Sequence, residues 1–450
     1  MTNIWSWLFC LWFFSAGGAA IHANPSTHQY TLRELLEHGL EHNVEIEEAQ
    51  LRVKGAVARL RQARSGSFLP YLRLESQNGL VPDARGDIFN PIGDTTGLRP
   101  LGPFTRTQLE FVQPLYTFGY LSSLRRAAAG GLAAEQAGLV AHRVDVAFQI
   151  KELYYGVLLA RDLQSLVWNL IEKLEEKAGE LEENTAVALS GTYKLKLAVL
   201  ELQSKEGEIA DQLELAQAAL RWKTGLPENA PINLEAKALE PVQVAVPPLD
   251  TLVDQALRSR PDWHQLQAGI AAKKALLDAA QSEYLPQIFL AGGVRYALAP
   301  NRTDLRNPFA KDDFNYFNGG IFLGLRLSFE WGLLGANVDK ARAEHLGLKA
   351  TENAAIQGIS LDIKRAYLVF QRAEENLNRA RQKRRLTRQW LKLAQEEYEF
   401  DPGEVKELIT AFEAWSRSEQ AFYEAIHGYN LSAARVAQTM GLITLAKWRK

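Results

Sequence analysis

Apolar residues recur along this chain with two different periods. Over 31–65, Leu32, Leu35, Leu36 and Leu40 fall at helical spacing behind Thr31, a good N-cap, and predict one helix. Pro70 ends that pattern and the period drops to two: Leu72 and Leu74 alternate with Tyr71, Arg73, Glu75 and Gln77. A loop rich in Gly, Pro and Asp over 78–103 leads to a second alternation, with Thr105, Thr107, Leu109 and Phe111 opposite Arg106, Gln108 and Glu110. Residues 121–188 are almost all helix formers and predict a helix of about 100 Å at 1.5 Å per residue. Ser190-Gly191 predicts a break, and 193–223 a second helix.

The same order follows again. A helix is expected over 249–284, then a strand over 287–298 with Ile288, Leu290, Val294 and Tyr296 on one face. A polar loop over 299–318 precedes a strand over 321–330, where Ile321, Leu323, Leu325, Leu327 and Phe329 alternate with Phe322, Gly324, Arg326, Ser328 and Glu330. A long helix over 334–399, a turn at Asp401-Pro402-Gly403 and a last helix to 440 complete the pattern. Leu69-Pro70 recurs as Leu285-Pro286, Gly119 as Gly335 and Gly225-Leu226 as Gly441-Leu442, all at an offset of 216 residues. A period this long means a duplicated domain. The expected boundaries are a signal peptide over 1–23, a first repeat over 24–230, a Pro-rich linker over 231–248, a second repeat over 249–442 and a tail over 443–450.

The leader reading rests on the short apolar core over 4–14 followed by small residues up to Ala20 and Ala23. Export removes Cys10, the single cysteine, and with it disulfides, thiolate metal sites and cysteine nucleophiles. No later stretch reaches the ~18 apolar residues of a spanning helix. The formal charge of −2 supplies no basic field for nucleic acid, and the basic run over 379–388 reads as one charged face of a long helix. His38 and His42 match an H-x-x-E-H zinc pattern, but no further ligand stands nearby in sequence and Gly39 weakens the helix. No Ser/His/Asp constellation and no Gly-rich phosphate loop stands out, so no enzyme, cofactor or metal site is expected.

The strands carry the strongest physical message. Each is about ten residues long, enough to cross a bilayer at a barrel tilt. Each has one apolar face, which assigns Leu72, Leu74, Leu109, Phe111, Ile288, Leu290, Ile321, Leu323, Leu325 and Leu327 to lipid. Four strands cannot close a barrel, and open edges are not tolerated in lipid, so several chains must share one barrel. The alternative is a periplasmic or secreted coiled-coil structural protein whose hairpins pack on its own helices.

In the order of these features the chain resembles the TolC-type outer-membrane efflux proteins over about 30–442. The carriers are the opening helix Thr31-Leu32-Arg33-Glu34-Leu35-Leu36 leading to Asn43-Val44, the Leu-Pro step before each first strand and the exit Gln113-Pro114-Leu115-Tyr116. Tyr154 and Tyr367 in the long helices, turns at Gly191 and Gly403, and the closing Gly-Leu pairs add to them. The resemblance implies an all-α dominated homotrimer with a twelve-stranded membrane β-barrel, four strands per chain, continued by a long α-helical periplasmic barrel. It implies a location in the outer membrane of a Gram-negative bacterium, in contact with its lipid, with loops 78–103 and 299–318 outside. The expected activity is that of a passive exit duct for small molecules or proteins in a tripartite efflux or type I secretion system. Its partners would be a periplasmic adaptor and an inner-membrane transporter. By the same resemblance, adaptor docking falls on Leu189, Ser190, Gly191, Thr192, Asp401, Pro402 and Gly403. The periplasmic gate falls on Thr410, Glu413 and Glu407; where family members carry two aspartates, Thr410 and Glu413 stand here.

Overall fold

The computed structural model describes residues 28–86, 91–92, 100–183, 189–307, 309, 311–330, 332–400 and 405–443. The leader with Cys10, the turn Asp401-Pro402-Gly403 and the last seven residues of the tail lie outside these. Among the described residues no helix is long and apolar enough to cross a membrane.

Helix α1 (Leu32–His42) opens with a capping box in which Thr31 Oγ1 accepts from the Glu34 amide and the Glu34 carboxylate accepts from the Thr31 amide. The single helix expected over 31–65 is two. Asn43 ends α1 and caps α2 (Val44–Phe68), its Oδ1 accepting from the Glu45 and Ile46 amides. Asparagine competes locally for backbone amides, and Glu45 and Glu47 then favour a new N-terminus. The helix expected over 249–284 also divides, into α5 (Leu249–Ser259) and α6 (Pro261–Ser282). Pro261 can start a helix but cannot continue one, because it lacks the amide and crowds the preceding turn.

Four long helices dominate: α3 (Tyr120–Glu183), α4 (Leu189–Thr224), α7 (Leu333–Phe400) and α8 (Val405–Thr439). With 64 and 68 residues, α3 and α7 extend about 96 and 102 Å. Ser190-Gly191, where a break was expected, lies in the first turn of α4, and α3 is described as far as Glu183. One glycine costs a helix only about 1 kcal/mol. Gly335 lies in the first turn of α7. The residue matching Gly119 (φ 97°), just before α3, is Gly332 (φ 86°), just before α7. The two closing Gly-Leu pairs are Schellman caps. Gly225 and Gly441 take φ of 73° and 70°, and the Leu226 and Leu442 amides reach back to the Arg221 and Ala437 carbonyls.

Laterally the helices form a wall. In one half α4 packs on α3, α3 on α8 and α8 on α7; in the other, α2 packs on α3, α3 on α6 and α6 on α7. Thus α2 continues α4, and α6 continues α8, beside the unbroken α3 and α7. At the first joint Asn43 Nδ2 donates to the Lys223 carbonyl, and a Cβ on Gly225 would stand 2.9 Å from the His42 carbonyl oxygen. At the second, Ser259 Oγ donates to the Met440 carbonyl and Gly441 lies against Pro261. A belt thickens the wall at this level. α1 buries Leu35 and Leu36 in a core with Val146, Ile150 and Tyr154 of α3, and α5 buries Leu252 and Ala256 against Ile359 and Ile363 of α7. The linker is an ordered strap: the Leu239 amide donates to Asp162, and Asn430 both accepts from the Val242 amide and donates to the Glu240 carbonyl.

One end of the wall carries an antiparallel sheet in the order β1-β4-β5-β6, formed by β1 (Tyr71–Pro82), β4 (Leu101–Tyr116), β5 (Gln287–Leu298) and β6 (Tyr316–Arg326). A minor pair, β2 (Arg85–Gly86) and β3 (Pro91–Ile92), lies in the first loop. The strands reach further into the expected loops 78–103 and 299–318 than their polarity suggested. β6 starts at Tyr316 and stops at Arg326, so Leu327 and Phe329 lie beyond it. Pairing explains the stop: Arg326 faces Gln287, and before Gln287 stands Pro286, which has no amide to extend the ladder.

Candidate functional site

The cross-strand register sorts the sheet into two faces. Leu72 faces Phe111, Phe111 faces Gly292, and Gly292 faces Ile321. The next row is Leu74, Leu109, Val294 and Gly319. Toward the helices, Leu290 pairs with Leu323 and Ile288 with Leu325. Directly opposed residues share a face, so nine of the apolar residues named from alternation lie on one side, with Leu327 just past the strand end. Leu72, Leu74, Ile321, Leu323 and Leu325 are each at least 64% exposed in a single protomer. Gln113 interrupts this side, its amide turned onto the Pro114 carbonyl. Aromatic residues flank the band, with Tyr296 and Phe317 paired at the loop end and Tyr116 opposite Ile288 at the helix end. From Ile288 to Tyr296 is about 27 Å of strand at 3.4 Å per residue.

The other face carries Arg73 opposite Glu110, Glu75 opposite Gln108, Gln108 opposite Arg295, and Arg295 opposite Asn318. Charge-pairing lies within this face: Arg73 reaches Glu75 at 3.2 Å and Gln108 donates to Glu110. Among the described residues both edges of the sheet, β1 and β6, are unpaired.

At the far end of the wall, α8 presents an exposed stripe of Lys406, Thr410, Glu413, Arg417, Gln420 and Glu424. Glu413 is ion-paired with Arg417 at 2.8 Å, one turn on, and Thr410 Oγ1 donates to the Lys406 carbonyl. Thr410 and Glu413 thus share a stripe, whereas Glu407 turns toward α7 and accepts from Trp390 Nε1 at 2.9 Å. At the same 3-4 spacing the stripe continues through Leu431 to Arg435 and Gln438. Arg435 stacks over Phe148, and Gln438 donates to Asp145 of α3. Asn430, tied to the strap, points elsewhere. Leu189, Ser190, Gly191 and Thr192 open α4, while Asp401, Pro402 and Gly403 are outside the described residues.

Between this exposed α8 stripe and the belt lies a feature that alternation could not reveal. Glu419 of α8 has a side chain only 4% exposed, and it accepts from Arg384 Nε at 2.8 Å, Arg388 Nη2 at 3.2 Å and Trp415 Nε1 at 3.1 Å. Arg384 also covers the Phe422 ring, and Thr387 hydrogen-bonds Ser418 beside it. A mid-helix glutamate reads as solvated in sequence; only the arginines one helix away change that. Removing the carboxylate leaves a cation facing an apolar wall. Glu419→Ala is expected to destabilise the α7–α8 hairpin by about 1–3 kcal/mol, because Arg384 keeps partial solvent access. Faster proteolysis within that hairpin, with Glu419→Gln intermediate, would register it; unchanged cleavage would contradict it.

The zinc-like histidines have other roles. His38 Nδ1 donates to the Thr224 carbonyl at 2.7 Å, and the two rings stack 4.2 Å apart. Gly39 lets α1 approach α3, since a Cβ there would stand 2.4 Å from Ile150 Cδ1. Among the described residues no group of three or more His, Cys, Asp or Glu is placed to hold a metal.

The chain thus combines long helical hairpins with a small two-faced antiparallel sheet. Residues 252–441 match the family model described as outer membrane efflux protein. The chain is 24% identical over 278 residues to the probable outer membrane lipoprotein SilC of Salmonella typhimurium. It is 25% identical over 274 residues to the cation efflux system protein CusC of Escherichia coli O157:H7. These matches take in 61% and 59% of this chain but only 56% and 55% of those relatives. The crystal structure of the CmeC outer membrane channel of Campylobacter jejuni superposes with a TM-score of 0.76, covering 91% of this chain and 85% of that one; at 17% identity this is a likeness of fold. Over 252–441 the chain thus matches the outer membrane efflux protein model, and its fold is that of a solved outer-membrane channel.

Proposed function

We propose that three copies of this chain close a twelve-stranded barrel and a helical tube, and that the assembly is a passive exit duct. The carrying observation is the sheet: one face apolar and exposed, the other charged, and both edges open. Lipid satisfies the first face, a water-filled lumen the second, and neighbouring copies the edges. The helices support the same closure. α2 and α4 bound the wall on one side and α7 on the other. Both borders expose apolar residues at heptad-like spacing: Val44 and Leu51 on α2, Tyr193, Leu197 and Leu200 on α4, and Leu361, Leu368, Leu386, Leu393 and Phe400 on α7. The border of one copy fits the opposite border of the next.

The two halves act as duplicated units, each supplying two strands and one long hairpin to the ring. The duct would be served by a periplasmic adaptor at the helical tips, around Leu189 to Thr192 and Asp401 to Gly403, and by an inner-membrane transporter that supplies the energy. The cargo is either small molecules or proteins. Detergent-extracted protein in a planar bilayer tests the duct: discrete conductance steps support it, and their absence from assembled trimer would sink it.

Glu413 and Thr410 are the gate positions best supported by placement. Their stripe leads to Arg435 and Gln438, on a side of α8 distinct from Asn430 and its strap. A pore-facing stripe would repeat Glu413 three times around one level. Its charge is partly offset by Arg417, so Glu413→Lys is expected to lower cation preference about twofold rather than abolish conduction. Unaltered ion selectivity in the bilayer would place Glu413 on the tube exterior.

A further inference from the structure

The charged face of the sheet is open along most of its length and covered at one end. There the connection from β5 to β6 folds back across β4 to β1. Arg302 Nη1 donates to the Pro82 carbonyl at 2.6 Å, the Thr303 amide to the Ala84 carbonyl at 2.9 Å, and the Gly86 amide to Thr303 Oγ1 at 3.0 Å.

The side on which this connection lies is fixed by what it covers. Gly102, Phe104 and Arg106 stand on the charged face of β4, in line with Gln108 and Glu110. A Cβ on Gly102 would stand 2.6 Å from Asn301 Nδ2. The Phe314 ring meets Phe104 edge-on at 5.7 Å, and Arg106 Nη2 donates to the Asp313 carbonyl at 3.2 Å. Ala297, on the same face of β5 opposite Arg106, is 2% exposed. The segment is also folded on itself, because the Asp312 carboxylate accepts from the Leu305, Phe314 and Asn315 amides. Arg302 ties the parts together, with its guanidinium over the Phe314 ring at 3.8 Å while it holds Pro82.

We propose that segments 301–306 and 312–315 form a constriction inside the outer mouth of the duct, latched by Arg302, that limits the size of what can pass. The inference rests on the duct reading, in which the charged face is the lumen. Three inward-folded copies would narrow one level of the barrel, just above Arg295 and Asn318. The segment carries both signs, with Arg302, Asp304, Arg306, Asp312 and Asp313, so it restricts by bulk and not by charge.

A cysteine at Asn318, exposed on the charged face below the constriction, reports on passage from outside. In intact cells a membrane-impermeant maleimide reaches it only through the mouth, whatever the state of the periplasmic gate. The background is clean if the leader with Cys10 is removed. With the latch intact, a small charged maleimide is expected to label Asn318→Cys while a polyethylene-glycol maleimide does not. Adding Arg302→Ala and Phe314→Ala should speed labelling by the bulky reagent roughly tenfold, through loss of a stacked, hydrogen-bonded cation. Arg302→Lys keeps the charge but not the planar stack and should lie between. Asp313→Ala should change nothing, since Arg106 holds the main-chain carbonyl. Equal labelling by the bulky reagent with and without the latch, in variants that still form trimers, would overturn the constriction. Failure of the small reagent in intact cells, with labelling only after the envelope is opened, would overturn the duct reading itself.

Discussion

Arginine at Ile321 and Leu323 together is expected to keep this protein out of the outer membrane. Both residues sit on the apolar face at mid-strand, opposite Gly292 and Leu290. Each arginine at the depth of the bilayer centre costs about 2–4 kcal/mol, and a shared barrel repeats each one three times. The control lies on the other face of the same strand: Asn318→Arg points to the charged side and should insert normally. Membrane fractionation separates the cases. Double-arginine protein recovered as trimer from the outer membrane would mean that the apolar face meets protein, as in the soluble-hairpin alternative.

Glutamate at Leu386 and Leu393 should leave each chain helical but stop assembly. These leucines are 64% and 57% exposed on the free border of α7, seven residues apart. Burying each against the next copy would contribute about 1.5–3 kcal/mol, and the proposed ring has three such borders. A carboxylate there must be desolvated without a partner, which reverses the sign. Leu386→Met keeps volume and apolarity and should still assemble. Circular dichroism would show retained helix, and light scattering in detergent would show loss of the three-chain species. Trimers from the double glutamate variant would show that α7 is not at an inter-chain contact.

What was legible in the sequence was whatever a period or a backbone exception writes down. Alternation placed nine apolar residues on one face of the sheet because a strand reverses its side chains at each step. The Gly-Leu pairs marked real helix ends because only glycine takes the left-handed cap without strain. Errors arose where local signals compete. Asn43 looked like one polar residue inside a long apolar stripe, though an asparagine followed by Glu45 and Glu47 is also a start signal, and the tertiary bond to Lys223 favours that reading. Arg260-Pro261 carried its break openly and was passed over. Gly191 has helical torsions and so ends nothing, and the counterpart of Gly119 is Gly332 and not Gly335.

The polar features were not legible for another reason. Glu419 with Arg384 and Arg388, or Arg302 with Pro82 and Phe314, join residues from different elements. Their partners are set by how α7 meets α8 and by where a loop folds, and no spacing along one element encodes that. The proposed gate positions stand between these cases: Thr410 and Glu413 share a stripe by helical arithmetic, while Glu407 departs from it to reach Trp390.

The most direct test of the shared barrel is the mass of the protein extracted from cell envelopes, measured by light scattering with bound detergent subtracted. The account predicts a three-chain particle, found in the outer-membrane fraction and soluble only with detergent. A monomer or dimer that stays in solution without detergent would contradict it.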